Sequence, residues 1–326
     1  MLSSRLSGTI VPLVTPFDSD EAVDAHALRR LVDYVLDQGA DALMPTALTG
    51  EGPLLTADET VAVWDVVVEK AGGRLPVIPA VISTTTRRAV DLARAAEERG
   101  AIAVMVAPIL PELYAGRAHD DVYAFYADVA AATALPIILF NYPSLTGVDL
   151  VPPLVERLVA IPNVQYIKES SGDTRRVHGI QRLVGERLSV ICGAPNVALE
   201  SLALGCQVWI TGIMNVAPRS AQQLMRAVAS CVPSCVGTGV TGGELCDLRL
   251  ARRIYYTQIL PVVDVLVRNY NPTGTIKAGV CARGVDVGLP RRPGHGVGAA
   301  DREYLDKLVA GIARAEAETA AEMAAR

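Results

Sequence analysis

The stretch Val164-Gln165-Tyr166-Ile167-Lys168-Glu169-Ser170-Ser171-Gly172-Asp173 is a short apolar run that ends on a lysine and breaks at once into small polar residues. It reads as a buried strand that delivers one amine to the mouth of a site. The chain holds four lysines (Lys70, Lys168, Lys277 and Lys307) among 30 Lys+Arg, so arginine is its ordinary cation and a lysine here asks for a reason of its own. Arginine keeps its proton in a protein, whereas a lysine in a dry pocket can lose it and attack a carbonyl carbon. The segment alone leaves two readings open: a Schiff-base lysine for a 2-oxo acid, or a lysine that snorkels from a strand end.

Outward from this run, one grammar repeats from Gly8 to about Ser230: a short apolar run, a loop, an amphipathic stretch, then often a glycine. The apolar runs Thr9–Val14, Ala42–Pro45, Val77–Val81, Ala103–Ala107, Ile137–Phe140, Val164–Lys168, Ser189–Cys192 and Val208–Thr211 are eight candidate strands. Helices are expected over Asp24–Gln38, Ala57–Ala71, Thr86–Arg99, Asp120–Ala132, Pro152–Ala160, Thr174–Val184, Asn196–Leu204 and Pro218–Ser230. Gly39, Gly100 and Gly205 stand where a helix needs a left-handed C-terminal residue before the next strand. Thr56 with Glu59 has the spacing of a capping box. Near-continuous apolar strands alternating with helices mean a parallel sheet covered on both faces, and eight such units make an α/β fold of the (β/α)8 TIM-barrel type. The expected division is a barrel over residues 1–230, a Gly/Cys-rich loop over 231–246 and a C-terminal helical extension over 247–326. In that extension, Asp247–Tyr270, Thr275–Arg283 and Ala300–Ala324 read as helices.

Composition excludes several function classes. With 51% hydrophobic and 20% charged residues in 326, the chain can bury a large core. A net charge of -5 without a separated Lys/Arg cluster leaves no footprint for nucleic acid. No apolar run approaches the roughly 20 residues of a membrane span, and Met1 to Ser7 has no leader character, so a cytoplasmic protein is expected. The six cysteines read as free thiols. Cys231, Cys235 and Cys246 have no nearby histidine and fit no zinc spacing, and the four histidines fall in helices or loops away from strand ends. Gly237-Thr238-Gly239-Val240-Thr241-Gly242 matches a nucleotide fingerprint, but no strand precedes it, so it reads as a flexible loop.

In a barrel of this kind chemistry sits at the C-terminal ends of strands and in the loops that follow. That selects Thr46-Ala47-Leu48-Thr49-Gly50-Glu51-Gly52, Asn141-Tyr142-Pro143-Ser144-Leu145-Thr146-Gly147, and Lys168. The Thr49-Gly50 turn can offer N–H groups and a hydroxyl to a carboxylate, or be an ordinary tight turn. Lys277 is the rival amine, in a helical setting that favours a structural role.

Gly8-Thr9-Ile10-Val11-Pro12-Leu13-Val14-Thr15-Pro16-Phe17, Thr49-Gly50-Glu51, Phe140-Asn141-Tyr142-Pro143 with Thr146-Gly147, and Ile167-Lys168-Glu169 with Gly172-Asp173 together resemble the dihydrodipicolinate synthase / N-acetylneuraminate lyase family. The resemblance is ordered along the chain from residue 8 to about 230 and continues through Asn271-Pro272, Lys277 and Leu289-Pro290. It implies the barrel with a C-terminal helical extension, a Schiff base with pyruvate or a related 2-oxo acid, no metal or organic cofactor, and a homo-oligomer, tetramer or dimer. By position, Lys168 matches the Schiff-base lysine, Leu48, Thr49 and Gly50 the carboxylate loop, and Ile210 and Gly193 residues that line the site.

The departures matter as much. Phe140 stands where the family has a proton-shuttling tyrosine, and general acid–base help is worth ~10²–10⁴ in rate. Tyr142, on the same strand face two residues on, is a candidate substitute. Leu48 replaces a second relay hydroxyl, and Tyr114 is the candidate for a third. Leu145 replaces the arginine that holds the aldehyde partner's carboxylate in dihydrodipicolinate synthases, a contact worth ~1.5–3 kcal/mol. Pro195-Asn196 replaces the acidic pair with which neuraminate lyases hold a polyol. The expectation is a Schiff-base lyase or aldolase that is neither a true dihydrodipicolinate synthase nor a sialic acid lyase, with Leu48, Leu145, Ala194 and Pro195 favouring a less polar aldehyde. Its alternatives are a 2-oxo acid dehydratase or hydratase, or a binding member with little turnover.

Overall fold

The computed structural model describes residues 6–108, 119–229, 247–269 and 271–325. Tyr114, the nucleotide-like glycine run and Cys231, Cys235 and Cys246 lie outside them. The eight apolar runs form β1 (Gly8–Pro12), β2 (Ala42–Met44), β3 (Ala80–Ser83), β4 (Val104–Pro108), β5 (Ile137–Asn141), β6 (Val164–Glu169), β7 (Ser189–Cys192) and β8 (Val208–Ile210). All pair in parallel in one sheet of order β2-β1-β8-β7-β6-β5-β4-β3. The ends of that order meet. The Leu43 N–H donates to Pro76 O at 3.0 Å, while the Ile78 and Ala80 N–H groups donate to Leu43 O and Pro45 O at 2.8 and 3.0 Å. The result is a (β/α)8 barrel.

The third strand differs from expectation. Val77–Val81 was the apolar run, yet the regular strand starts at Ala80, and Val77 makes only an isolated parallel bridge to Leu43. Pro76 and Pro79 lack the N–H groups that a continuous ladder needs, so pairing there is intermittent.

Between and after the strands lie α1 (Ala25–Asp37), α2 (Ala57–Ala71), α3 (Thr86–Glu98), α4 (His119–Ala131), α5 (Pro143–Thr146), α6 (Pro152–Leu158), α7 (Arg175–Val184), α8 (Ala198–Ala203) and α9 (Pro218–Ala229). Gly39, Gly100 and Gly205 adopt φ of 85°, 73° and 102°, the left-handed geometry their positions predict. The Thr56–Glu59 capping box is complete, with bonds of 2.8 and 3.2 Å. The sequence predicts a loop after β5, and the structure has the short α5 there: Pro143 in its first turn and Gly147 (φ 71°) at its end bound a single turn. α8 was expected from Asn196 but is preceded by a 3-10 turn over Pro195–Val197.

Beyond residue 246 come α10 (Leu248–Ile254), a π-helical turn (Tyr255–Ile259), α11 (Leu260–Asn269), α12 (Pro272–Ala282) and α13 (Ala299–Ala324). The π turn interrupts what the pattern read as one helix, because Pro261 has no N–H to continue the α-helical ladder. Buried Glu316 of α13 fastens these helices to the barrel. It pairs with Arg283 at 3.0 Å, accepts from Ser220 Oγ at 2.7 Å, and its carbonyl accepts from Gln223 Nε2 at 2.8 Å.

Strand side chains alternate. Val11, Leu43, Val106, Leu139, Ile167 and Val190 face the helices. Ile10, Met44, Met105, Ile138, Tyr166, Ile191 and Ile210 fill the barrel. Lys168 shares the inward parity of Tyr166 and stands one step nearer the C-terminal end.

Candidate active site

β6 carries Lys168 into the barrel beside Phe140 of β5 on one side and Ile191 of β7 on the other. The side chain is 7% exposed. Its Nζ lies 4.5 Å from the centroid of the Phe140 ring, and among the described residues it forms no hydrogen bond or ion pair. Removing an ammonium from water without an anionic partner disfavours its charge. Burial therefore lowers the Lys168 amine from 10.5 to about 8. Cys192 itself is pushed well above its ordinary value by burial, so it stays a neutral thiol.

Gly193 explains how the stem of Lys168 fits. A Cβ on Gly193 would stand 2.0 Å from Ser170 Oγ, 2.7 Å from Glu169 O and 2.9 Å from Lys168 Cγ. Glycine here makes room for the lysine and the serine. The next residue, Glu169, points away from the barrel interior and ties two loops together. It accepts from Asn141 Nδ2 at 2.8 Å and from the Ser171 N–H at 2.6 Å, while Asn141 Oδ1 accepts from the Leu150 N–H at 2.9 Å.

The rim is apolar on two sides. Leu48 and Tyr142, both half-buried, pack on the interior cluster that contains Phe140 and Ile210. The Phe140 and Tyr142 rings meet edge to face at 6.1 Å. Leu145 stands apart: it is 51% exposed on α5 and joins none of the buried clusters.

The loop after β2 is strained and pinned. Thr46 has φ 60° and Glu51 φ 56°, left-handed geometry that is uncommon for residues with side chains and costly for a β-branched one. The Thr46 hydroxyl donates to Ala80 O at 2.9 Å and accepts from Trp64 Nε1 at 2.8 Å, which holds the bend. A Cβ on Gly52 would lie 1.9 Å from Thr46 O, and one on Gly50 2.6 Å from Leu13 O, so both glycines are required by close backbone approach. Within the turn the N–H groups of Gly50, Glu51 and Gly52 donate to Ala47 O, Leu48 O and Ala47 O. Those of Leu48 and Thr49 donate to no group among the described residues. The Thr49 side chain approaches the end of β8, about 3 Å from where a Gly212 Cβ would be.

Glu51 extends this turn into the C-terminal region. It forms a buried ion pair with Lys277 at 2.8 Å and accepts from the Arg291 N–H at 2.9 Å. Lys277 Nζ also donates to Leu289 O at 2.9 Å and lies 4.3 Å from the Phe17 centroid. The helical setting that made Lys277 the structural lysine thus comes with a carboxylate partner. The sequence reading missed this pair, which joins distant segments, and it missed Ser170, although spacing two residues beyond Lys168 was a signal. Of the amides at the start of this turn, the Gly50 N–H is spent inside it, while those of Leu48 and Thr49 meet no acceptor among the described residues. Among the described residues no group of three or more His, Cys, Asp or Glu could hold a metal ion, and no helix is long and apolar enough to cross a membrane.

The model of the dihydrodipicolinate synthetase family matches residues 5–313. The 4-hydroxy-tetrahydrodipicolinate synthase of Nitrosococcus oceani is 33% identical over 286 residues, 86% of this chain and 91% of that protein. The chloride-inhibited dihydrodipicolinate synthase of Acinetobacter baumannii, solved with pyruvate, superposes with a TM-score of 0.83 at 26% identity, covering 95% of this chain and 99% of that one. A catalytic-lysine mutant of the sialic acid aldolase of Ruminococcus gnavus shares the fold, with a TM-score of 0.85 at 20% identity over 96% and 97% of the two chains.

Proposed function

The chain belongs to the dihydrodipicolinate synthetase family and is a class I, Schiff-base lyase; we propose that it holds pyruvate or a related 2-oxo acid as an imine on Lys168 and makes or breaks a bond to a second, weakly polar carbonyl partner. One observation carries the reading: a buried lysine at the barrel mouth, unpaired among the described residues, with its amine lowered to about 8. At pH 7 such an amine is neutral in about one molecule in ten, against about one in 3,000 for an ordinary lysine. The pyruvate bound to the Acinetobacter baumannii relative supports the choice of keto acid.

The neutral nitrogen adds to C2, the resulting carbinolamine loses water, and the iminium draws electrons from C3. Loss of a C3 proton gives an enamine that attacks an aldehyde carbon; the reverse sequence breaks the same bond. The Leu48 and Thr49 amides with the Thr49 hydroxyl are the groups we assign to the carboxylate, since a pair of adjacent free N–H groups in a rigid turn is preorganised for an anion. Phe140 orients the lysine but moves no proton, and Tyr142, whose ring meets Phe140 edge to face, is a phenol on the same rim.

Relatives are named for 4-hydroxy-tetrahydrodipicolinate synthesis. Against that specificity here stand Phe140, Leu48 and the exposed Leu145, and the same residues favour a second reading, a 2-oxo acid dehydratase or a binding member with slow turnover. The two separate in a screen of pyruvate with aldehydes of graded polarity, read by keto-acid consumption. The reading predicts turnover of ~1 s⁻¹ or more with an apolar aldehyde, an ordinary enzyme rate, and a lower rate with a carboxylate-bearing one. Faster consumption of the carboxylate-bearing aldehyde would overturn the specificity, and no consumption with any of them would favour the second reading.

A further inference from the structure

Ser170 follows β6 directly and continues its ladder: its N–H donates to Asn141 O at 2.8 Å, and the Gly193 N–H donates to Glu169 O at 2.9 Å. With extended geometry maintained, Ser170 lies on the same face as Lys168, two residues away. Both side chains converge on the space that Gly193 leaves empty, where an added Cβ would stand 2.0 Å from the serine Oγ and 2.9 Å from the lysine Cγ. The residue is 7% exposed, and among the described residues its buried Oγ has no hydrogen-bond partner. Three other buried hydroxyls at this end of the barrel are committed: Thr15 donates to Gly50 O at 2.6 Å, Thr46 to Ala80 O at 2.9 Å and Ser83 to Thr85 O at 2.9 Å. An unmade hydrogen bond at a buried hydroxyl costs about 1–3 kcal/mol, and a native protein that tolerates the cost needs a reason for it. Ser170 has one available, because its hydroxyl and the stem of Lys168 flank the same gap left by Gly193, at a mouth where Phe140, beside the lysine, has no proton to give.

We propose that Ser170 is a catalytic hydroxyl of the imine-forming step, donating to the C2 oxygen of the bound 2-oxo acid while the Lys168 nitrogen attacks C2. The proposal rests on the Schiff-base reading above. In the step the C2–N bond forms and the C2–O π bond opens. The oxygen takes the Oγ proton, and the nitrogen, which carries one proton too many after attack, returns a proton to Oγ. Serine leaves the step unchanged, and carbinolamine is the product. Bound substrate gives the Ser170 hydroxyl an acceptor.

The test is the rate at which pyruvate is trapped on Lys168 by cyanoborohydride, measured across pH for the wild type, Ser170→Ala and Ser170→Thr, together with thermal unfolding. The expected result is a plateau rate about 100-fold lower in Ser170→Ala, the lower end of the range of lost proton-transfer help. The pH midpoint should not move, the melting temperature should equal or exceed that of the wild type, and Ser170→Thr should recover most of the rate. A Ser170→Ala rate equal to that of the wild type overturns the proposal while leaving the imine intact, as does a slow Ser170→Ala whose melting temperature falls in step. Absence of any adduct in the wild type removes the Schiff-base reading itself, and the proposal with it.

Discussion

Two lysines are buried in this molecule, and nearly everything about them is alike except their anions. Lys168 is 7% exposed and Lys277 1%. Each ammonium lies over a phenylalanine face, at 4.5 Å from Phe140 and 4.3 Å from Phe17. Burial lowers both amines. Lys277, however, has Glu51 at 2.8 Å and the Leu289 carbonyl at 2.9 Å, and Glu51 pulls its amine back toward the charged form. Lys168 has no such partner among the described residues. A paired buried lysine works as a clamp that fixes the strained turn after β2; an unpaired one is held closer to the neutral form that attacks carbonyls. The aromatic face, common to both, decides nothing by itself.

The largest effect should come from removing the reactive amine. Lys168→Met is expected to lower turnover of any 2-oxo acid by about 10⁴-fold or more, the scale of losing a covalent nucleophile, with folding intact by circular dichroism. Retained activity would break the contrast at its stronger end. Next comes the clamp: Lys277→Met strands Glu51 in the interior and should cost about 3–5 kcal/mol of stability, as removal of one partner from a buried pair does. Denaturant unfolding measures this, and a loss under 1 kcal/mol would mean the pair holds nothing in place.

The smallest effect sharpens the comparison most. Because Lys168 is lowered from 10.5 to about 8 on folding, the unfolded chain binds more protons between those values, and stability from this group rises with pH across that window. At pH 7 the strained amine thus costs up to about 3 kcal/mol, so Lys168→Met should be more stable than the wild type there. The gain should shrink as pH rises from about 8 and vanish above about 10.5. A Lys168→Met variant that is less stable at pH 7 would show that the amine has a hidden partner.

Much of this was legible in the sequence, for reasons that differ by region. Parallel strands buried on both faces must be apolar throughout, so seven of the eight strands lie close to where their runs stand. The left-handed glycines at 39, 100 and 205 announced helix ends because few other residues adopt that geometry. β3 was misplaced by Pro76 and Pro79, since apolar character survives where N–H groups do not. Pro261 hid a π turn inside a helical pattern in the same way. At the site, the family resemblance grouped Lys168, Phe140 and Ile210 by position, and they share the inner face of the barrel, but position in the chain says nothing of the direction of Leu145, which a single turn of helix turns outward. The Glu51–Lys277 pair was invisible because it joins a loop after β2 to α12, and only tertiary contact brings them together. The role of Gly193 in admitting the side chains of Lys168 and Ser170 likewise depends on the packing of β7 against β6.

We propose that these two lysines differ in reactivity because they differ in pairing. Incubating the protein with pyruvate and sodium borohydride from pH 6 to 10, followed by peptide mass spectrometry, tests it directly. The expected outcome is a reduced pyruvyl adduct on Lys168, none on Lys277, and a labelling rate that rises to a plateau with its midpoint near pH 8, set by the value of about 8 for the Lys168 amine. An adduct on Lys277, or no adduct on Lys168 at any pH, would contradict it.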